Sequence, residues 1–338
     1  MMRKLLAGLA TAAFATTGTL AQAQCDAGET VLKFSLVTNL QGHPKGEAAL
    51  ALADEVNAQF QGRMCMEVYG NSELFDDDVI FDKLLENEVQ LAAPSASKFG
   101  KYSDQLQLFD VPFIFDTAVH VLEFLETEAA ADMLRTVEDD GFTVLGFWSN
   151  GMYQISGARP LRVPSDANGL KFRVQSLSPA VKGLLDAMGA TGERMAFSKV
   201  YDALASGQVQ GQYNTWSNIQ GKGFYLEQAA VTETNFAYLG YPVVMATSFL
   251  NSLSASDREE FLGLFSLITH ERNRFAFEIN QQRRQDILDD DGIIIQLAED
   301  ELQAWRDALA PIVDQFRRDV SASLIDAAIA ANAAADPF

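Results

Sequence analysis

The segment GLKFRVQSLSP, residues 169–179, combines a short apolar strand with a Ser-Pro pair that favours the start of a helix. Arg173 lies between Phe172 and Val174 on this strand, so we expect its side chain to be at least half buried. A guanidinium is rarely removed from water without an anion to meet it. The segment therefore predicts a β-α unit that carries a buried cation, and we expect the matching anion to come from outside the protein.

Strand and helix patterns alternate on both sides of this segment. Strands are predicted at residues 31–37, 64–69, 142–148 and 170–174, and helices at residues 47–60, 75–89, 180–188 and 197–207. Ser198 is the expected N-cap of the last of these helices. This alternation of strands and helices predicts an α/β fold with mixed, mainly parallel sheets. Residues 149–169 are rich in Gly, Pro, Ser and Asn and separate two β-α-β groups, which predicts two lobes joined by crossing strands.

The last third of the chain begins with a long helical pattern from Ser254 to about Ile287. About thirty helical residues extend about 45 Å, which is long enough to reach across both lobes. A short strand at residues 292–297 and a helix at residues 299–320 follow, and we expect the Ala-rich end to fray.

The N-terminus has the features of an export signal. Arg3 and Lys4 precede a weakly apolar run, and an A-x-A cleavage pattern ends at Ala23. We therefore expect residues 1–23 to be removed and the protein to reside in the periplasm. No other segment approaches 18 unbroken apolar residues, so no stable membrane insertion is expected.

The net charge of −21 argues against nucleic acids and anionic membranes as partners.

The chain has two cysteines, Cys25 and Cys65. In an oxidising compartment we expect them to form a disulfide, since each lies at or near one of the first two predicted strands. Two alternatives stay open at this point. Cys25 is close enough to the cleavage site to carry a lipid anchor, and the two thiols could also be buried and unpaired.

Motifs for catalysis and for metal or cofactor binding are absent from the sequence. It contains no phosphate-binding G-K-[ST] loop and no G-x-S-x-G elbow. His43, His120 and His270 are far apart, and none has the spacing of a metal-ligand pair. We therefore predict no enzyme, no metal and no cofactor. A hydrolase with the shape of a binding protein is the rival hypothesis, and it lacks a recognisable nucleophile and base.

Residues suited to a ligand lie at the ends of predicted loops. They are Lys45, Ser95, Lys98 and Arg173 and, within GQYNTWSN at residues 211–218, Tyr213, Asn214 and Trp216. Taken singly, the aromatic side chains suit a core and the lysines suit solvent. Taken together, the fork of Arg173 and the amide of Asn214 beside an interlobe crossing predict a pocket for a small organic anion.

Many segments of the chain are similar to one family. KFSLVTN, HPKG, VYGNSELFDDD, APSASKFG, FDVPFIF, WSNGM, GLKFRVQS, MAFSKVYDALASGQV, NTWSNI and LGYPVV occur in family order along nearly the whole chain. The sequence thereby resembles the solute-binding proteins of TRAP transporters, in the branch named for C4-dicarboxylate uptake. No single segment would suffice, but the set is specific.

The resemblance implies a type II-like, two-lobed periplasmic binding protein with crossing hinge strands and a long interlobe helix. Lobe I would comprise residues 25–150 and about 239–278, and lobe II residues 151–238 and about 279–338. Such a protein closes on its ligand and delivers it to the membrane permease subunits of the transporter. We expect it to act as a monomer. A receptor that senses the ligand is the functional alternative.

The resemblance also assigns roles to residues. Arg173 matches the family arginine that makes the principal salt bridge to a ligand carboxylate, and Asn214 matches a ligand-contacting asparagine. Phe197, Ser95 and Asp76 match family pocket positions.

One departure bears on the ligand. Tyr153 stands where the family usually carries a lysine or arginine, so a second carboxylate would lack a cation unless Lys45 or Lys98 reaches the cleft. Burying an unpaired charge costs several kcal/mol. A monocarboxylate with an apolar, aromatic or hydroxylated body, packed on Tyr153, Tyr213 and Trp216, is therefore the alternative to a C4-dicarboxylate.

Overall fold

The computed structural model describes residues 25–334, so the predicted signal peptide at residues 1–23 lies outside the described residues. The strands are β1 (Thr30–Ser35), β2 (Met64–Tyr69), β3 (Leu91–Ala92), β4 (Phe142–Met152), β5 (Gln154–Gly157), β6 (Lys171–Val174), β7 (Thr191–Arg194), β8 (Gly211–Asn214), β9 (Ala230–Glu233), β10 (Tyr238–Ala246) and β11 (Ile294–Gln296). The α-helices are α1 (Pro44–Gln59), α2 (Ile80–Leu85), α3 (Ala118–Leu125), α4 (Glu128–Arg135), α5 (Pro179–Met188), α6 (Val200–Ala205), α7 (Trp216–Gly221), α8 (Thr247–Ser252), α9 (Ala255–Asp289), α10 (Glu299–Asp319) and α11 (Ala322–Ala331). None of these helices has both the length and the apolar character needed to cross a membrane.

The strands form two sheets. Sheet A has the order β2-β1-β3-β10-β4, and sheet B has the order β11-β9-β5-β8-β6-β7. The β1 pairings with β2 and β3, the β6 pairings with β7 and β8, and the β9–β11 pairing are parallel. The pairings of β10 with β3 and β4 and of β5 with β8 and β9 are antiparallel. This mixed α/β architecture confirms the predicted fold class.

Two chain segments cross between the sheets. Strand β4 of sheet A continues into β5 of sheet B with only Tyr153 between them, and β9 of sheet B leads back to β10 of sheet A. The two crossings are hydrogen-bonded to each other, because the Tyr153 backbone N–H donates to the Ala237 carbonyl at 2.8 Å. They form a narrow two-stranded connection of the kind that can act as a hinge.

The long helix α9 packs on both parts of the fold. It contacts α1 and β4 beside sheet A and α7 on the side of sheet B. The Trp148 ring stacks on Phe265 of α9 with centroids 5.8 Å apart, and its indole N–H donates to the Thr269 hydroxyl at 2.9 Å. A long helix across both sheets was predicted, and Ser254 caps it by accepting from the Asp257 backbone N–H.

Four local predictions differ from the structure. Of the helix predicted at residues 75–89, only α2 (Ile80–Leu85) is formed. Helix α1 begins at Pro44, earlier than predicted, because the His43 side chain accepts from a first-turn backbone N–H and proline is favourable at the first helical position. Ser198 does not cap α6, since a 3₁₀ turn at Phe197–Lys199 precedes that helix. The Ala-rich end forms helix α11 rather than fraying, because Leu324 and Ile325 are buried.

Helix α11 also bears on the predicted lobe boundaries. The sequence places residues 279–338 in lobe II, whereas α11 contacts α3 and α4, which fall in the predicted lobe I. Its buried Leu324 and Ile325 join the same apolar cluster as Val121 and Phe124. These contacts favour assigning α11 to lobe I. The remaining lobe boundaries stay a prediction.

Cys25 and Cys65 form a disulfide with a Cα–Cα distance of 5.5 Å across a sequence separation of 40 residues. The parallel pairing of β1 with β2 sets Val31 opposite Cys65 and brings the chain before β1 close to β2. The predicted disulfide is confirmed. Both alternatives, a lipid anchor on Cys25 and two unpaired thiols, are contradicted because the two sulfur atoms are bonded to each other.

Asp110 links the two parts of the fold from a buried position. It ends a 3₁₀ helix, Gln105–Asp110, and accepts hydrogen bonds from the hydroxyls of Ser97 at 2.5 Å and Ser178 at 3.1 Å. Ser178 is the N-cap of α5 in the sheet-B part. Burial among neutral partners raises the pKa of Asp110 to about 6, although both hydrogen bonds oppose the shift.

Removing the disulfide by the double change Cys25→Ser and Cys65→Ser should lower the free energy of unfolding. A closed loop of this length restricts the unfolded chain and contributes about 4 kcal/mol in the loop-entropy description. Urea unfolding followed by circular dichroism measures the change, and reduced wild-type protein is the control. A loss below about 1 kcal/mol would show that the disulfide contributes little to stability.

Replacing Asp110 by Asn should change the pH dependence of stability. The folded state raises the pKa of this acid from 3.8 to about 6, so folding takes up a proton and stability falls as pH rises through this interval. The wild-type protein should lose about 2 to 3 kcal/mol relative to Asp110→Asn between pH 4 and pH 7. Denaturation at several pH values measures the difference, with the exposed Asp139→Asn as the matched control. A difference that stays constant with pH would contradict the assignment.

Candidate functional site

A cleft lies between the two sheets at the carboxyl ends of parallel strands β1, β3, β6 and β8, the usual position for ligands in α/β folds. The cavity that remains between its side chains has a volume of about 20 Å³. Its lining consists of Val37, Thr38, Asp77, Ser95, Lys98, Arg173, Gln175, Ala196, Phe197, Asn214, Asn218, Leu239 and Tyr241. Five predicted residues are therefore brought together here, namely Ser95, Lys98, Arg173, Phe197 and Asn214.

Arg173 is the most unusual cation of the cleft. Strand β6 carries it, and only 4% of its surface is exposed. One terminal nitrogen donates to the Met195 carbonyl at 3.2 Å, but the buried Nε has no hydrogen-bond partner among residues 25–334. In that part of the chain Arg173 also forms no ion pair. Desolvation lowers its pKa, although the charges of Asp77 and Asp78 oppose the shift. An arginine stays charged, so the cleft holds a guanidinium that makes no ion-pair contact among residues 25–334.

Asn214 is the last residue of β8 and presents a donor to the cleft. Its side-chain oxygen accepts from the Thr215 backbone N–H at 3.2 Å and from the Asn218 amide at 2.6 Å. Because that oxygen is engaged twice, the amide nitrogen of Asn214 remains for a ligand. A carboxylate oxygen is a suitable acceptor for it.

Lys98 places a second cation in the cleft from the sheet-A side. Its side chain is 7% exposed, and its ammonium donates to Asp78 at 2.7 Å. Asp78 also accepts from Arg194 at 2.6 Å, so this ion pair reaches across to β7 of sheet B. Desolvation lowers the pKa of Lys98 although the charges of Asp77 and Asp78 oppose the shift, and the charge of Arg173 adds a smaller effect in the direction of desolvation.

Asp77, rather than the predicted Asp76, lines the cleft. Asp76 turns away and accepts from the hydroxyls of Ser72 at 2.8 Å and Ser198 at 2.9 Å. Burial raises the pKa of Asp77, although the charges of Lys45 and Lys98 oppose the shift. The acidic run in this turn marks the right loop, but neighbouring side chains point in different directions.

Lys45 does not line the cleft, contrary to prediction. It is fully buried at the start of α1, where its ammonium donates to the Ala93 carbonyl at 2.8 Å. The same ammonium lies 3.9 Å from the centre of the Tyr241 ring, and this tyrosine separates it from the ligand space. Desolvation lowers the pKa of Lys45 to about 8.

The three predicted aromatic contacts also lie outside the lining. Tyr153 is buried in the crossing segment, and the Gln175 amide donates to its hydroxyl at 2.5 Å. Tyr213 packs edge-on against Tyr153 with ring centroids 5.0 Å apart. Trp216 joins a separate apolar cluster, and its ring lies 5.7 Å from the guanidinium of Arg284. All three rings are buried in the interior of the protein and are not part of the cleft lining.

Sequence reasoning missed five residues of the polar lining: Thr38, Asp77, Gln175, Asn218 and Tyr241. Thr38 is 2% exposed, and its hydroxyl has no hydrogen-bond partner within the described residues. A usable signal existed, since Thr38 and Gln175 each follow a parallel strand whose carboxyl end faces the cleft. Asn218 and Tyr241 reach the cleft lining only through tertiary packing, so no local sequence signal identifies them.

The chemistry of this cleft suits a small acid. Two cations from opposite sides and one amide donor converge on a confined space, which is how carboxylates are bound with directional hydrogen bonds. A metal is a poorer match to the described residues. Their one cluster of three metal-type side chains is Cys25, Glu29 and Cys65, and its two sulfur atoms are joined as a disulfide.

Known proteins share this sequence and fold. The model for the bacterial extracellular solute-binding protein family 7 (DctP) matches residues 34–319. The C4-dicarboxylate-binding periplasmic protein DctP of Vibrio cholerae is 40% identical over 98% of this chain and 99% of its own length. Its namesake from Shewanella loihica is 36% identical over 90% of this chain and 91% of its own.

Solved structures agree. A TRAP periplasmic solute-binding protein from Shewanella oneidensis with bound succinate is 36% identical, covers 90% of this chain and 99% of its own, and has a TM-score of 0.87. A second, from Pseudomonas aeruginosa with bound L-malate, is 34% identical, covers 85% of this chain and 99% of its own, and has a TM-score of 0.82. Since sequence and fold agree over nearly the whole described range, the chain belongs to the bacterial extracellular solute-binding protein family 7.

Proposed function

We propose that this protein captures a C4-dicarboxylate in the cleft between its sheets and delivers it to the membrane permease subunits of a TRAP transporter, without catalysing a reaction. The observation that carries the proposal is the buried Arg173, which has no acidic partner among residues 25–334 and faces a space that Lys98 also lines. Relatives named for C4-dicarboxylate binding, and related structures that hold succinate or malate, support the same ligand class.

The geometry gives each contact a role. Arg173 on sheet B would hold one carboxylate by charge-assisted hydrogen bonds, and Asn214 would donate to an oxygen of the ligand. Lys98, from the sheet-A side, would hold the second carboxylate. A ligand that joins both sides stabilises only the closed arrangement, so binding shifts the hinge equilibrium toward closure.

The alternative of a monocarboxylate with an aromatic body loses its basis. It required Tyr153, Tyr213 and Trp216 to surround the ligand, and none of them lines the cleft. It also required that a second cation be missing, whereas Lys98 lies in the lining. We propose that Lys98 on the opposite wall, whose ammonium also donates to Asp78, takes the place of the basic residue that is missing at Tyr153.

A periplasmic location completes the proposal. The Vibrio cholerae and Shewanella loihica relatives are named periplasmic proteins, and the Cys25–Cys65 disulfide suits an oxidising compartment. Export would use residues 1–23 as a cleaved signal, as the sequence predicts. We propose that the exported protein acts as a monomer at the permease.

Replacing Arg173 by Ala should weaken succinate and malate binding by about 3 to 5 kcal/mol, because a ligand carboxylate is left without its partner in a desolvated cleft. This corresponds to a rise in Kd of roughly two to three and a half orders of magnitude. Isothermal titration calorimetry measures it. The exposed Arg135→Ala is the matched control and should bind like wild type. A loss of less than tenfold for Arg173→Ala would contradict the role assigned to this side chain.

Replacing Lys98 by Met should distinguish the contributions of the two ligand carboxylates to the binding affinity. We expect succinate to lose at least tenfold in affinity because its second carboxylate loses a cation, while butyrate, with one carboxylate, should change by less than threefold. The exposed Lys101→Met on the same 3₁₀ helix, Ala96–Lys101, is the control. Equal losses for succinate and butyrate would show that Lys98 does not hold the second carboxylate.

A further inference from the structure

His43 connects the start of α1 to the ligand cleft through a chain of hydrogen bonds. It is the N-cap of α1 and is 3% exposed. Its Nδ1 accepts from the Lys45 backbone N–H at 3.1 Å, and its Nε2 lies 3.1 Å from the side-chain oxygen of Asn218 on α7. The ring therefore bridges an element beside sheet A and an element on the side of sheet B.

The backbone fixes where the ring proton lies. A backbone N–H can only donate, so Nδ1 must keep its lone pair, and the proton of the neutral ring must be on Nε2. Nε2–H then donates to the Asn218 oxygen. Burial and the neighbouring charge of Lys45 lower the pKa of His43 well below its ordinary value, which agrees with a neutral ring.

This proton position sets the direction of the Asn218 amide, which acts on Asn214 in the same sense as the Thr215 backbone N–H. With its oxygen accepting from His43, Asn218 directs its amide nitrogen to the Asn214 oxygen, 2.6 Å away. A flipped Asn218 would set an N–H against the Nε2–H of His43 and an oxygen against the Asn214 oxygen. Both contacts would be repulsive, so the chain of hydrogen bonds has one direction, which ends in the Asn214 amide nitrogen.

We propose that His43 is a positioning residue that acts through Asn218 and, together with the Thr215 backbone N–H, holds Asn214 as a donor, which restricts the ligand at this point to an oxygen acceptor. The inference rests on the proposed function, since it assumes that Asn214 contacts the acid. It adds a selection rule: a carboxylate, carbonyl or hydroxyl oxygen fits beside Asn214, and an ammonium group does not. Because His43 and Asn218 come from different sides of the cleft, the chain of hydrogen bonds is complete only when the two sides meet.

Two variants of His43 separate this role from helix capping. His43→Asn keeps a good N-cap oxygen for the Lys45 N–H but is too short to reach Asn218. His43→Gln keeps an N–H that can reach Asn218 but is a weaker cap. We expect His43→Asn to retain the wild-type melting temperature and to lose at least tenfold in succinate affinity. His43→Gln should show the reverse, with a lower melting temperature and an affinity within threefold of wild type.

The control is His120→Asn, since His120 is also buried but contacts Thr117 and Ala334, outside the cleft lining. Nuclear magnetic resonance of ¹⁵N-labelled histidine gives a second readout that needs no ligand, and it should show His43 as the neutral Nε2–H tautomer at pH 7. The inference is overturned by an Nδ1–H or charged ring, or by a His43→Asn variant that binds succinate within threefold of wild type. Failure of the wild-type protein to bind any dicarboxylate would instead count against the proposed function. The tautomer of His43 is measured without ligand, so that result does not depend on whether a dicarboxylate binds.

Discussion

The site depends on a guanidinium that is held out of water and makes no ion-pair contact within residues 25–334. Arg173 is almost completely buried, its Nε is unsatisfied, and one carbonyl is its only hydrogen-bond acceptor among residues 25–334. Such an arrangement is unfavourable for a protein that stays empty, because a buried charge needs a counter-charge. It becomes favourable when an anion binds. The folded protein already holds the cation in position and out of water, so the ligand does not have to order or desolvate it on binding.

The rest of the fold keeps that guanidinium between the two sheets. The crossing segments around Tyr153 provide a narrow connection, and α9 contacts both parts. Polar contacts such as Asp110 with Ser178 and Asp78 with Arg194 join the sheet-A part to the sheet-B part. A chain with a net charge of −21 repels anions at long range, so its affinity for an acid must come from these local groups.

Much of the fold could be predicted because its signals are local. Ser178 and Pro179 begin α5 as expected, and the adjacency of the first two strands predicted the disulfide. The directions of the side chains were harder to predict from the sequence. Lys45 and Asp76 lie at the right loops but point away from the cleft, and the rings of Tyr153 and Tyr213 are in the core, since only the packing of both sheets decides which face of a strand meets the ligand. Asn218 could not be chosen from sequence because its role depends on His43, far away in the chain.

A crystal structure of the protein with succinate tests the central claim most directly. We expect one ligand carboxylate at about 3 Å from the guanidinium nitrogens of Arg173, the usual distance of a charge-assisted hydrogen bond, and the other carboxylate beside Lys98. An Arg173 side chain paired with an aspartate or glutamate of the protein, or a succinate bound away from it, would contradict the account.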